Sequence, residues 1–282
     1  HHQQQEEIIA QRDYIGDQNQ QLKEQHERIT DSIRYAQTIQ EGVLPFPERL
    51  AQHIEEHFIV YRPKDIVSGD FYWFEKTGDT AILAVADCTG HGVPGAFMSM
   101  LGIAILNDIV LKEQITEPHL ILQKLNTLLR RVLKTNNDAR GSDGMDIVIC
   151  AWKKHADGHT EVRFCGAKRP LYYTKEGVLQ EIQGTRRSIG SDDNANGKPF
   201  ELHTLSISEP TIIYLSSDGY ADQNGNSNQG RKIGTKKLKE LLLANQQQPL
   251  AIQKQILEDF LDEYMHDVHQ RDDITLLGIK VG

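Results

Sequence analysis

Four aspartates in this chain stand in short acidic motifs, each at or near the end of an apolar run that reads as a β-strand. The motifs lie at residues 68–71, 86–92, 216–219 and 271–274, and their aspartates are Asp70, Asp87, Asp218 and Asp273. A strand that ends in Asp-Gly or Gly-Asp places a carboxylate where the chain turns, so carboxylates from distant strands can converge. Mg²⁺ and Mn²⁺ bind oxygen ligands of this kind. Together the four motifs predict a two-metal hydrolase site.

Turn chemistry explains each aspartate equally well when it is taken alone, because a strand-terminal Asp can cap the following turn. Asp87 gives the sharpest signal. It follows the apolar run 82–86 and precedes the Gly-His-Gly turn at 90–92, after which Pro94 opens a helix. Asp273 directly follows another aspartate, and adjacent carboxylates repel each other unless a positive charge is near. The metal-site prediction therefore depends on the four motifs occurring together.

Charge, hydropathy and cysteine use argue against several classes of protein. The formal net charge of −9 disfavours general nucleic-acid binding, since a phosphate backbone requires a basic surface. No apolar stretch approaches the roughly 20 residues of a membrane span, and no signal peptide is evident. Cys88, Cys150 and Cys165 lie in apolar runs without metal-ligand spacing. We therefore expect buried free thiols and a cytoplasmic, reducing compartment.

The elements that must position these aspartates follow a distinct N-terminal segment, residues 1–43. This segment is rich in Gln and Glu and has no proline, and an apolar residue recurs at every seventh position: Ile8, Ile15, Leu22, Ile29, Ala36 and Val43. The spacing predicts a parallel dimeric coiled coil, although the second seam position is polar at Gln11, Gln18 and Gln25. A solvated helix lying on its own domain and a disordered segment stay open as alternatives.

Pro45 and Pro47 mark the boundary to a second segment, residues 44–282, in which strand and helix patterns mix. Strand-like runs lie at 58–61, 71–74, 81–86, 147–152, 162–165, 171–173, 211–215 and 274–281, and helical periodicity lies at 95–111, 120–133, 236–244 and 250–265. Many strands with helices in two pairs indicate helices packed on the faces of a sheet sandwich rather than regular βαβ alternation.

From about residue 43 onward, the chain resembles the SpoIIE-type branch of the PPM (PP2C-like) metal-dependent serine/threonine phosphatases. The block at 86–95 is the most specific, and residues 217–219 and 272–275 fall where the family places its later metal ligands. The resemblance implies an α+β fold, an α-β-β-α sandwich of antiparallel sheets flanked by antiparallel helix pairs, preceded here by a long N-terminal helix. It also implies that water activated by two metal ions attacks a phosphoserine or phosphothreonine.

The resemblance also implies a ligand set for two Mn²⁺ or Mg²⁺ ions. Asp87 would bridge the two ions, and the carbonyl of Cys88 would complete the coordination of one of them. Asp218 and Asp273 would hold one ion, and Asp70 would act at the other, directly or through water. Some relatives use an aspartate before the next strand for a third, weaker metal, and here Asp143 and Asp146 are candidates for that role. Loop capping explains these two residues equally well.

The chain departs from the family pattern at a histidine and at an arginine. Many relatives carry a histidine two residues after the bridging aspartate, as a candidate general acid, whereas His91 lies four residues after Asp87. Stabilisation of the turn is the alternative role for His91. A phosphate-binding arginine upstream of the first acidic motif has no clear match, and Arg62 and Lys64 are the nearest cations, with plain surface charge as their alternative role.

Two adjacent cations, Lys168 and Arg169, stand at a position that is often neutral or histidine in relatives. They are candidates for contact with the phosphorylated partner. The resemblance makes a phosphoserine or phosphothreonine of a STAS-type regulatory protein the expected substrate, in a bacterial partner-switching pathway. The N-terminal helix resembles the truncated end of a signalling linker, so we expect a homodimer formed through it and a sensor domain outside this chain.

Regulation and two rival functions complete the expectations. Rotation or a shift of the helix after Pro94 would move Asp87, so the coiled coil is expected to set metal affinity through dimer geometry. A non-catalytic pseudophosphatase that docks a partner is the first rival. A nucleotidyl cyclase is the second, since it also joins two carboxylates to a coiled-coil linker, but its chemistry would not require Asp218 and Asp273.

Overall fold

The computed structural model describes residues 2–134, 143–190, 199–226 and 230–282. The helices are α1 (His2–Val43), α2 (Pro47–Ala51), α3 (Gly92–Asn107), α4 (Pro118–Lys134), α5 (Gly219–Asp222), α6 (Gly234–Asn245) and α7 (Leu250–Met265). The strands are β1 (His57–Arg62), β2 (Asp70–Thr77), β3 (Thr80–Cys88), β4 (Met145–Lys154), β5 (Thr160–Ala167), β6 (Leu171–Lys175), β7 (Val178–Ile182), β8 (His203–Ile207), β9 (Thr211–Ser216) and β10 (Ile274–Val281). A π-helical turn, Asp108–Lys112, follows α3.

The strands form two five-stranded antiparallel sheets. The first sheet has the order β1-β10-β9-β6-β7, and the second sheet has the order β2-β3-β4-β5-β8. Helices α3 and α4 pack on the second sheet, whereas α6 and α7 pack on the first. The predicted α-β-β-α sandwich is confirmed.

Burial on both faces explains why the central strands are continuously apolar. In β10, Leu277 and Ile279 face the core shared by the two sheets, while Ile274 and Leu276 face the core under α6 and α7. Because side chains alternate between the faces of a strand, a strand with one exposed face would need polar residues at every second position. The alternation of two apolar sets therefore fixes β10 in the middle of the sandwich, and with it the position of Asp273, one residue before the strand.

The sequence pattern located eight strands and four long helices, all of which the structure contains. It missed β7 and β8, whose side chains alternate between exposed and partly buried positions, so that neither strand forms an apolar run. It also missed α2 and α5, which have only five and four residues. Helices this short lack the periodicity that identifies a helix from sequence.

Helix α1 projects its predicted seam into solvent in the single chain. The apolar side chains Ile8, Ile15, Leu22 and Ile29 are 57–64% exposed, so the described part of the chain does not cover them as a helix lying on its own domain would require. The segment is helical rather than disordered, and α1 ends at the predicted boundary, Val43. The division into domains 1–43 and 44–282 and the coiled-coil dimer stay predictions.

The expectation that no apolar run reaches membrane length was wrong. The continuous helical segment Gly92–Lys112 has 21 residues, and an 18-residue window within it has a mean hydropathy of 1.6, so it qualifies by length and composition. The segment is half buried inside the protein, where α3 contacts β2, β3 and α4. A core helix that packs on a sheet is apolar for the same reason as a membrane helix, and the described contacts of α3 are those of a core helix.

Candidate active site

A row of carboxylates crosses one end of the second sheet. The antiparallel register pairs Asp70 of β2 with Asp87 of β3, and Asp87 with Asp146 of β4. Directly opposite residues on neighbouring antiparallel strands point to the same face, so the three carboxylates lie side by side. The face they share is directed towards the first sheet, because the charges of Asp273 and Asp218 act on Asp70.

The first sheet contributes Asp218 and Asp273 from the turns at the ends of β9 and β10. Asp273 accepts a hydrogen bond from the backbone N–H of Gly69, 2.7 Å from Oδ2, and from that of Lys64, 2.8 Å from Oδ1. These bonds join the last acidic motif to the first across some 200 residues of chain. Asp218 stands at the N-terminus of α5 without a side-chain capping bond, so the capping alternative does not account for it.

The electrostatics of the row are those of crowded like charges. Burial, followed by the charges of Asp70 and Asp218, raises the pKa of Asp87 to about 10, and Arg169 partly opposes this effect. Burial and the charges of Asp273 and Asp218 raise the pKa of Asp70 to about 8. A divalent cation placed among such carboxylates would remove their mutual repulsion.

The donor set fits Mn²⁺ or Mg²⁺ by its chemistry. Every candidate ligand atom is a carboxylate or carbonyl oxygen, as hard cations require. Oδ2 of Asp70 is buried without a hydrogen-bond partner in the described parts of the chain, although buried polar atoms are normally paired. Within those same ranges, no three His, Cys, Asp or Glu side chains already stand in a metal-binding arrangement. The carboxylates lie near enough for their charges to act on one another, but a bound cation would have to draw them closer.

Close approach of the backbone brings a carbonyl oxygen into the same place. A Cβ on Gly69 would lie 3.4 Å from the carbonyl oxygen of Cys88, 3.4 Å from Oδ2 of Asp273 and only 2.5 Å from the carbonyl oxygen of Gly90. A Cβ on Gly95, in the first turn of α3, would lie 2.3 Å from that Gly90 oxygen. Glycine is thus required where the first acidic motif, the turn after Asp87 and the start of α3 meet.

The match to a protein family agrees with this geometry. The family model described as stage II sporulation protein E (SpoIIE) matches residues 77–282, a range that contains Asp87, Asp218 and Asp273. The chain belongs to the SpoIIE family. Asp70 lies outside the matched range, and its place in the site comes from its pairing with Asp87.

Relatives of this SpoIIE-family chain include a curated phosphatase and solved phosphatase domains. The phosphoserine phosphatase RsbU of Bacillus subtilis (strain 168) is 25% identical over 268 residues, which are 93% of this chain and 74% of RsbU. The SiaA-PP2C domain of Pseudomonas aeruginosa is 32% identical with a TM-score of 0.78, and the match covers 91% of this chain and 98% of that domain. The PP2C phosphatase domain of Bacillus subtilis SpoIIE, solved with a fragment of its regulatory domain, is 19% identical with a TM-score of 0.61 over 80% of this chain and 62% of that one. The last match shows the fold alone. The chain is therefore homologous to PP2C-type serine/threonine phosphatases.

Two of the predicted substrate contacts of this SpoIIE-family chain are engaged elsewhere. Arg62 binds Asp262 of α7, with the closest N···O distance 2.5 Å, so the structure does not bring its guanidinium to the carboxylate row. His91 pairs through Nδ1 with Oδ2 of Asp65 at 2.8 Å and is half exposed, which agrees with the turn-stabilising role. Lys64 reaches the site through its backbone N–H, which holds Asp273.

The other candidates lie next to the row. Asp146 accepts a hydrogen bond from the hydroxyl of Ser188 and lies 3.8 Å from Nζ of Lys168. Asp143 immediately precedes Gly144, whose N–H and C=O both bond to Thr89, two residues after Asp87. The candidate third-metal loop is therefore attached to the turn of the main site. Nη2 of Arg169 lies 3.9 Å from Oδ2 of Asp218.

Gln40 is the contact that sequence reasoning missed. This residue of α1 is only 4% exposed; its Nε2 donates to the carbonyl of Ser68 at 2.7 Å and to Oγ of Ser99 at 2.8 Å, and its Oε1 accepts from the N–H of Ser68 at 2.9 Å. Ser68 Oγ in turn accepts from the N–H of Asp70 at 3.0 Å. In a helix this rich in glutamine, no sequence signal separates Gln40 from its neighbours.

Proposed function

We propose that the chain is a metal-dependent protein serine/threonine phosphatase and the output domain of a bacterial signalling protein. The observation that supports this most is the convergence of Asp70, Asp87, Asp218 and Asp273 at one end of the sandwich. These aspartates come from four separate motifs in a chain that is homologous to a phosphoserine phosphatase. Four carboxylates brought together in this way can supply the ligands of a two-metal site.

The residues have distinct parts in this proposal. Asp87, the Cys88 carbonyl, Asp218 and Asp273 would hold two Mn²⁺ or Mg²⁺ ions, with Asp70 at one of them, directly or through water. When bound, such ions lower the pKa of a coordinated water and offset charge on phosphoryl oxygens. The chain's own contribution is to hold the carboxylates in place, as the N–H groups of Gly69 and Lys64 do for Asp273. Asp143 and Asp146 are the residues available for a third, weaker ion.

A thiol route is not part of the proposal. The side chain of Cys88 is buried, and burial followed by the charges of Asp70 and Asp87 raises the pKa of its thiol. A protonated, buried thiol is a poor nucleophile. The residue would therefore act at the site only through its carbonyl oxygen.

Hydrolysis of p-nitrophenyl phosphate and of a phosphoserine peptide tests the proposal. The assays compare the wild type in Mn²⁺, the wild type in EDTA and the variant Asp218→Asn in Mn²⁺. We expect metal-dependent turnover that both the chelator and the substitution abolish. In the described ranges, no three His, Cys, Asp or Glu side chains are already arranged to bind a metal ion. This spacing would also suit a pseudophosphatase that docks a partner. Absence of turnover together with absence of Mn²⁺ binding by calorimetry would favour that second candidate.

The proposed substrate class is a phosphorylated STAS-type regulatory protein. The support is the homology with the phosphoserine phosphatase RsbU and the open position of the row, where Asp218 and Asp146 are both partly exposed. A phosphoserine displayed by a folded partner could approach the row from that side. Dephosphorylation of such a regulator, compared with a short peptide of the same phosphosite, measures how much the folded partner contributes.

Regulation through α1 is the second part of the proposal. The exposed apolar seam of α1 would pair with a second copy as a coiled coil. Near the end of α1, Gln40 joins the helix to Ser68, two residues before Asp70, and to Ser99 of α3. Since α3 starts directly after the turn that follows Asp87, a movement of α1 would shift two of the acidic motifs together. The helix would thereby favour or disfavour the metal-competent state.

Replacement of Gln40 tests this link. Gln40→Ala leaves the backbone N–H of Ser68 without its partner and leaves the C=O of Ser68 with only the longer bond from Ser99, at 3.3 Å. We therefore expect the Mn²⁺ concentration for half-maximal activity to rise roughly tenfold, as for the loss of one to two buried hydrogen bonds. Gln37→Ala is the matched control, since Gln37 lies on the same helix, is partly exposed and bonds through its side chain to Glu41, one turn away. Equal metal titrations for the two variants would contradict the link.

A further inference from the structure

Arg169 is one of the cations that the structure places beside the carboxylate row, and it is the less exposed of the pair Lys168 and Arg169. Its side chain is 17% exposed, and Nη2 of its guanidinium lies 3.9 Å from Oδ2 of Asp218. Its positive charge also acts on Asp87, so it is directed at the centre of the row. Arg62 is engaged by Asp262, Lys168 is half exposed next to Asp146, and the charge of Lys64 acts on Asp272.

At least one N–H donor of Arg169 is unused. Its Nε is buried without a hydrogen-bond partner in the described residues, and the contact with Asp218 is too long for a hydrogen bond. A guanidinium carries five N–H donors in a planar fork and is almost never buried without partners. A largely buried arginine with a free Nε–H donor, beside acids to which it makes no hydrogen bond, indicates a ligand that is itself an anion.

The backbone around Arg169 is fixed tightly enough to aim the side chain. A Cβ on Gly166 would lie 2.2 Å from the carbonyl oxygen of Arg169, and one on Gly184 would lie 2.6 Å from it. Lys168 adopts a left-handed conformation with φ 60°, and its N–H donates to the carbonyl of Thr185 at 2.8 Å. The turn between β5 and β6 is therefore held by packing and hydrogen bonds, as a preorganised binding residue requires.

We propose that Arg169 binds the phosphoryl oxygens of the substrate, in place of an arginine upstream of the first acidic motif. The proposal builds on the proposed phosphatase function and adds the residue that recognises the phosphate. The planar fork of Arg169 would donate two parallel hydrogen bonds to a phosphoryl group held over the row. The contact with Asp218 would then orient the guanidinium rather than neutralise it.

Binding of inorganic phosphate is the direct test, because it does not require turnover. Calorimetry on the Mn²⁺-loaded chain, residues 1–282, would compare the wild type with Arg169→Gln, Arg169→Lys and the control Lys153→Gln. The control Lys153→Gln also removes one positive charge, but at the end of the second sheet opposite the carboxylate row. There Lys153 pairs with Asp79. We expect Arg169→Gln to weaken phosphate binding roughly tenfold to a hundredfold, the usual effect of losing charge-assisted hydrogen bonds. Arg169→Lys should recover part of this loss, since it keeps the charge but not the fork.

Mn²⁺ affinity, measured on the same variants, separates substrate recognition from a structural role. Loss of a positive charge next to Asp218 should leave Mn²⁺ binding unchanged or make it tighter. Kinetics with a phosphoserine peptide should show the same tenfold to hundredfold loss in kcat/KM for Arg169→Gln. Equal phosphate affinities in wild type and Arg169→Gln, no phosphate binding by either, or weakened Mn²⁺ binding in the variant would each overturn the proposal. Failure of the phosphatase function itself would appear separately, as wild-type protein without metal-dependent turnover.

Discussion

The two ends of the β-sandwich differ in whether their carboxylates are paired with cations. At the end away from the acidic motifs, Lys280 lies 2.7 Å from Glu56, and Lys153 lies 3.5 Å from Asp79. At the acidic end, Asp70 is buried and the charges around it are those of other aspartates. The first end has each of these carboxylates paired with a lysine, whereas at the second the aspartates outnumber the neighbouring cations Lys168 and Arg169. Unbalanced buried charge distinguishes a site from a surface.

The largest expected effect is on turnover, and it should distinguish two aspartates at opposite ends of the β2–β3 hairpin. Asp87→Asn, in β3, should lower metal-dependent turnover at least about a hundredfold, as for the loss of a group that stabilises developing charge. Asp79→Asn, in the β2–β3 turn, removes the same charge and should leave turnover unchanged. Hydrolysis of p-nitrophenyl phosphate with saturating Mn²⁺ measures both. Similar losses in the two variants would mean that net charge, and not the row, controls activity.

A smaller effect, a gain rather than a loss, is expected in the thermal stability of an Asp70 variant. Asp70→Asn removes a buried charge that its neighbours disfavour, so the metal-free protein should melt at a higher temperature at pH 8, by about 2–4 °C for each kcal/mol gained. The same variant should lose activity. Thermal melts in EDTA provide the measurement, and a lower melting temperature for Asp70→Asn would show that its carboxylate is already stabilised without metal.

The same crowding predicts a pH dependence in metal-free protein. Raised pKa values, about 8 for Asp70 and about 10 for Asp87, mean that the folded state binds these protons more strongly than the unfolded state. Stability from this source is therefore present at low pH and declines as pH rises from about 4 towards 8 and beyond. Mn²⁺ should abolish the decline. A melting temperature that rises across this interval in EDTA would contradict the crowding.

The smallest effect is expected at the balanced end. Glu56→Gln removes the partner of Lys280, and both side chains are 40% exposed. Solvent-exposed pairs contribute about 0–1 kcal/mol, so the melting temperature should change by no more than about 4 °C. Turnover should be unchanged. A loss of activity in Glu56→Gln would break the contrast between the ends.

The sequence carried enough information to predict the acidic row but not its surroundings. Asp87 and Asp218 could be found because each follows an apolar strand and precedes a turn, which is a local pattern. The family resemblance then ordered them into one site. The pairing of Asp70 with Asp87, two residues 17 apart in a hairpin, follows the same local logic.

The cations and the buried glutamine could not be predicted in this way. Arg62 and Arg169 are equivalent in sequence terms, yet one binds Asp262 and the other lies beside Asp218. The difference depends on packing between elements far apart in the chain. Gln40 is the same case, because its partners Ser68 and Ser99 are 28 and 59 residues away. Side-chain contacts at such separations leave no periodic trace in the sequence.

The length of α1 has a mechanical consequence. At 1.5 Å per residue, its 42 residues extend about 60 Å, and Gln40 lies close to the end that joins the sandwich. If the N-terminal tip of α1 moves sideways, Gln40 moves only a small fraction as far, because it lies close to the fixed end of the helix. Rotation about the helix axis is not reduced, because every turn of a stiff rod rotates together. In the regulation proposed above, α1 would therefore transmit rotation about its axis to the acidic end and would transmit little of a sideways displacement.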